Sequence, residues 1–106
     1  MIDKERVLQE FIELVAIPSS GRAERQIADA LKRKLTEIGL AVEEDATGAK
    51  IGGNAGNLIA RLPGTVAGAP CIMLSAHMDS VEPCSGIRPQ RNDGVITSAG
   101  DTLLGA

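Results

Sequence analysis

Apolar side chains recur at helical spacing twice near the start of the chain. Val7, Leu8, Phe11, Ile12, Leu14 and Val15 form one stripe, and that recurrence predicts a helix. Asp3 stands where an N-cap acceptor belongs. Pro18 ends the helix, because the residue before a proline avoids the α region. Ser19-Ser20-Gly21 reads as a turn, with Ser20 placed to cap a second helix over 22–38. Ile27, Leu31, Leu35 and Ile38 make the second stripe, while Arg25, Asp29, Lys32, Arg33 and Glu37 mostly face water. Gly39 sits at the C′ position, where a left-handed residue closes a helix.

The period then changes. Segments 40–44 and 57–62 are short and partly alternating, the second stopping at Pro63-Gly64. Segment 71–76 is almost continuously apolar, which predicts a central strand covered on both faces, with Cys71 buried in it. A further strand over 95–98 follows the turn signal Asp93-Gly94. Two helices packed on a mixed sheet of three to four strands give an α/β class, as part of a three-layer domain. The small residues of 64–70 form an exposed loop. The glycine-rich stretch 48–56 lacks the Walker and Gly-x-Gly-x-x-Gly spacings, and no following helix offers its N-terminus. It reads as a hairpin connection and not as a phosphate cradle.

Composition narrows the partners. The chain has 106 residues, 43% apolar content and a net charge of −3, which is ordinary globular chemistry. With one Phe, no Trp and no Tyr, and with no basic surface, nucleic acid is not an expected partner. No apolar run approaches the roughly 20 residues of a spanning helix. The charged start, Met1 to Arg6, has no signal-peptide apolar segment, so a cytoplasmic location is expected. Cys71 and Cys84 lie 13 positions apart with no Cys-x-x-Cys pair, and read as free thiols.

The only histidine, His77, lies in Ser75-Ala76-His77-Met78-Asp79-Ser80-Val81, at the carboxyl end of the apolar run. In open α/β sheets, sites form there. In an extended chain residues 77 and 79 share a side. Asp79 can then accept a hydrogen bond from one imidazole nitrogen and aim the other at a metal. On its own a His-x-Asp is more often a plain hydrogen-bonded pair. A catalytic zinc needs about three protein ligands, and nothing in the spacing of Glu82, Asp93 or Asp101 commits them; each reads as a solvated or turn residue. Ser75, Ser80, His77 and Asp79 do not make a triad, because triad members converge from separate elements.

Taken with their neighbours, these residues resemble a family. Ser75 through Pro83, Gly86-Ile87-Arg88-Pro89, Asp93-Gly94-Val95-Ile96 and Thr102-Leu103-Leu104-Gly105-Ala106 are similar to the peptidase T-like branch of the di-zinc exopeptidases. The family also holds aminoacylases, glutamate carboxypeptidases and succinyl-diaminopimelate desuccinylase. Ile17-Pro18-Ser19, Gly39-Leu40 and the stretch from Gly52 to Ala60 agree. The resemblance implies that His77 ligates one of two zinc ions and that Asp79 orients it. It implies amide hydrolysis on short peptides, with a bridging aspartate directly after Ala106 and further ligands, a general-base glutamate and a lid domain beyond. Residues 1–106 would then be the N-terminal part of a catalytic domain, inactive alone and prone to self-association through an open sheet edge. The alternative is a stand-alone, non-catalytic binding module.

Overall fold

The computed structural model describes residues 1–102, 104 and 105. Its elements run α1 (Lys4–Val15), α2 (Arg25–Glu37), β1 (Ala41–Glu44), α3 (Thr47–Lys50), β2 (Leu58–Arg61), β3 (Pro89–Asn92) and β4 (Val95–Ser98). The α/β class is as expected.

Asp3 caps α1, its carboxylate accepting from the backbone of Glu5 and Arg6 at 3.1 Å each. The second helix starts three residues later than expected. Arg22 adopts a φ of 70°, and no side chain caps the helix, whose N-cap is Glu24. Ser20 is engaged elsewhere. At the other end Gly39 has a φ of 94°. Its N–H reaches Thr36 O, and the Leu40 N–H reaches Leu35 O. These are the two bonds of a Schellman motif, and glycine supplies the left-handed residue without a Cβ penalty.

α2 packs on β1 and β2 and buries Ile27, Ala28 and Ala30. Ile38, expected in the same stripe, is exposed, since the Schellman turn has already bent the chain away. Lys34 ties α1 to α2 through Glu10 at 2.9 Å and Glu13 at 2.7 Å.

The expected mixed sheet does not form among the described residues. The four strands pair as two separate antiparallel ladders, β1 with β2 and β3 with β4. Val42 pairs with Ala60, and Arg91 with Ile96. Asp93 and Gly94 both have positive φ, 48° and 79°, the signature of a two-residue hairpin turn whose twist matches its strands. Strand β3 was not anticipated, because Pro89-Gln90-Arg91-Asn92 carries no apolar alternation.

Segment 71–76 is the main departure. It forms no strand, and Ile72, Met73 and Leu74 are 83%, 84% and 92% exposed. Cys71 is exposed too, whereas Cys84 is buried. An apolar run is covered only if other strands and helices flank it, and no described element does so here. The loop 64–70 is exposed throughout, as expected. The radius of gyration, 15.8 Å, exceeds the about 13 Å typical of a compact domain of this length.

Candidate functional site

The glycine-rich stretch is a close-packed connection. Gly48 is buried against the Ala55 carbonyl, and Gly56 against the Asp45 carbonyl; a Cβ at either position would overlap those backbones. Glycine is required there for close approach. The local N–H groups are already used. Asp45 accepts from the backbone N–H of Thr47 and of Asn57 at 2.9 Å each. A bond from the Asn57 side chain, then these backbone bonds, hold its carboxyl well below the usual range. Glu44 accepts from Gly56 N at 2.9 Å and pairs with Arg25 through both oxygens at 2.8 and 2.9 Å. The Arg25 fork, then the Gly56 N–H, lower its pKa to about 2. Arg25 was expected to face water; instead it clamps α2 to β1 and to this connection, which is a packed hairpin link containing α3.

The second region is the turn between α1 and α2 together with the residues after His77. Val15, Cys84 and Ile87 form a small buried cluster, with Leu104 packed against it. The cluster draws residues 80–87 onto the end of α1. Ser19, 1% exposed, donates its hydroxyl to Ser80 Oγ at 2.9 Å. The Ser80 N–H donates to Ser19 O at 2.8 Å. Ser20 donates its hydroxyl to Glu82, whose other oxygen accepts from Cys84 N at 3.1 Å. The Ser20 hydroxyl, then the Cys84 N–H, depress the Glu82 pKa. Glu82 was expected to be a solvated loop residue; it is exposed but engaged. The Val81 N–H donates to Gly105 O at 3.1 Å. Leu103 and Ala106, from the segment that contributed to the family resemblance, lie outside the described residues.

His77 stands at the edge of this clasp. Its Nδ1 lies 3.1 Å from Asp79 Oδ1 and 3.0 Å from Asp79 O. With the ring proton on Nδ1, that N–H donates to both oxygens. No described residue hydrogen-bonds Nε2, whose lone pair then faces outward. The side chains of His77 and Asp79 are 64% and 48% exposed, so the open nitrogen is accessible. A Cβ added at Gly21 would sit 3.9 Å from Asp79 Oδ2, which places the carboxylate beside the α1–α2 turn.

The donor chemistry suits one metal ligand and the carboxylate that orients it. Among the described residues no group of three His, Cys, Asp or Glu side chains converges to hold a metal ion. Asp93 and Asp101 lie in exposed turns. A surface cleft of about 430 Å³ opens beside the same turn, lined by Pro18, Ser20, Arg25 and Asn54 among others. Neither His77 nor Asp79 lines it, so the chemistry and the concavity do not coincide. No described helix is long and apolar enough to cross a membrane.

Sequence reasoning missed Ser19, Ser20 and Glu82 as partners of the motif. Their contacts span 61 and 62 positions, and no local spacing signals such a pairing.

No family model matches the chain. It is 42% identical over all 106 residues to the uncharacterized protein YqjE of Bacillus subtilis strain 168, covering 28% of that protein. It is 36% identical over 91 residues to an N-carbamoyl-L-amino acid amidohydrolase of Geobacillus stearothermophilus, with 76% of the chain and 20% of that protein covered. Among solved structures, the aminopeptidase PepT of Bacillus cereus matches 98% of the chain at a TM-score of 0.94 and 45% identity. A tripeptidase of Staphylococcus aureus matches 97% at 0.90 and 36% identity. The chain covers 28% of each of those two. Its resemblance to peptidase T-like proteins therefore holds in sequence and in fold, over a span of about a quarter of their length.

Proposed function

We propose that a protein carrying this peptidase T-like chain, together with the remaining length of its relatives, is a metallopeptidase. It would hydrolyse amide bonds of short peptides as an aminopeptidase or tripeptidase. The single observation that supports the reading best is the state of His77: Nδ1 is taken by Asp79, and no described residue hydrogen-bonds Nε2. That arrangement sits on a chain matching an aminopeptidase at a TM-score of 0.94.

In this reading the metal is zinc. When bound, it would supply Lewis-acid chemistry for amide hydrolysis. His77 would hold it through Nε2. Asp79 fixes the ring's tautomer and direction and raises the basicity of the ligating nitrogen. The remaining donors, the general base and the substrate-binding surface would come from residues beyond these 106, and the chain alone is then inactive. The absence of a third converging ligand among the described residues also supports a second reading, a non-catalytic binding module. A cytoplasmic location is proposed as part of the same reading.

The test is a peptidase assay on the full-length protein with di- and tripeptides, after chelation and after zinc is restored. Activity should disappear on chelation and return with zinc. His77→Ala should abolish it, and Asp79→Ala should lower activity or zinc affinity about 10- to 100-fold. A metal-replete protein with no activity on these peptides would overturn the reading. Hydrolysis of N-carbamoyl amino acids instead would move the substrate class to that of the amidohydrolase relative.

A further inference from the structure

We propose that Ser19 is a positioning residue for His77, holding the imidazole with its proton on Nδ1 and its lone pair on Nε2. The inference deepens the metallopeptidase reading and rests on it for its purpose.

One peptide plane connects Ser19 to the ring. The Asp79 carbonyl that accepts from His77 Nδ1 at 3.0 Å belongs to the same peptide unit as the Ser80 N–H. That N–H donates to Ser19 O at 2.8 Å. A peptide unit is planar and trans, so fixing the N–H on one side fixes where the C=O points on the other. Ser19 thus aims the Asp79 carbonyl at the ring without touching the ring. Its hydroxyl adds a second tie to the same residue, 2.9 Å to Ser80 Oγ. Ser19 is buried and Ser80 half-buried, so the double link is shielded from competing water. The Asp79 side chain, the ring's other acceptor, lies beside Gly21 of the same turn. Both acceptors of Nδ1 are therefore referred to one short segment, 19–21.

The reverse tautomer would put a lone pair on Nδ1 against two oxygens and the proton on Nε2. A ring in that state cannot donate to Asp79 and has no lone pair where the metal would bind. Loosening the 19–80 link should let the Asp79 carbonyl swing away and release part of this bias.

His77 is the only histidine, so ring nitrogen signals need no assignment. The full 106-residue chain, labelled with nitrogen-15, is examined by NMR at about pH 9, well above the ordinary imidazole range. Wild type should populate mainly the Nδ1–H tautomer. Ser19→Ala and Ser80→Ala should each lower the ratio of Nδ1–H to Nε2–H about 2- to 10-fold, the effect of one net hydrogen bond. Ser19→Thr, which keeps the hydroxyl, should restore it. If Ser19→Ala does not fold, Ser80→Ala decides. A ratio unchanged in folded Ser80→Ala overturns the inference and leaves the metallopeptidase reading intact. A shifted ratio supports it, and a concurrent failure of the peptidase assay would then count against that reading alone.

Discussion

Before His77 the chain is apolar and bare; after it the chain is polar and clasped. Ile72, Met73 and Leu74 present almost their whole side chains to solvent. Ser80, Glu82 and Cys84, a few residues on, are bonded to the α1–α2 turn or buried beside it. The apolar half has no partner among the described residues. The polar half carries its partners within the chain. Among the described residues, the direction of the imidazole is therefore set from one side, by the turn that follows α1.

Cutting a side chain from each half should separate the two most. Ile87→Ala should lower unfolding stability by about 2–4 kcal/mol, the usual result of truncating a buried aliphatic. Leu74→Ala should stay within about 0.5 kcal/mol, as exposed substitutions do. Urea titration followed by circular dichroism measures both, and equal losses would erase the distinction.

Acid provides the next test. The folded-state pKa of Glu82 is depressed, chiefly by the Ser20 hydroxyl. Such a carboxylate contributes its full stabilisation above its ordinary value of 4.5. The contribution is lost as pH falls through the depressed value. Glu44, at about 2, adds to the same limb from the hairpin link. Thermal melts between pH 6 and pH 3 (about three units, spanning the ordinary carboxylate range) should show falling midpoints. Ser20→Ala should flatten the Glu82 part and Glu44→Gln the other part; slopes identical to wild type would contradict the assignment.

The smallest effect on stability should come from Ile72→Lys combined with Leu74→Lys. These exposed changes should leave the melting midpoint near wild type. They should, however, suppress the self-association that an uncovered apolar strip favours. Sedimentation at rising concentration reads it, and a wild-type chain that stays monomeric at about 1 mM, where even weak association of this kind would register, would remove the premise.

Helices and turns were legible because their signals are local. Asp3, Gly39 and the Asp93-Gly94 pair each act within a few residues, and each does in the structure what its type dictates. The buried central strand expected at 71–76 was not, because burial depends on which elements flank a segment. An apolar run reports what it would pair with only when that partner is present. At the site, the His77–Asp79 contact was readable from a two-residue spacing. The clasp that holds it was not, because Ser19 and Ser80 are brought together by the packing of Val15, Cys84 and Ile87. Arg25 and Glu44 escaped for a related reason: their fork closes only when α2 lies on β1.

The unequal cysteines offer a clock for that clasp. Cys71 is open to solvent and Cys84 is fully enclosed. A thiol reagent should modify Cys71 at the rate set by its own encounter. It can reach Cys84 only when residues 80–87 lift from the end of α1. The lag between the two modifications then measures how often the segment opens, a local free energy distinct from that of global unfolding.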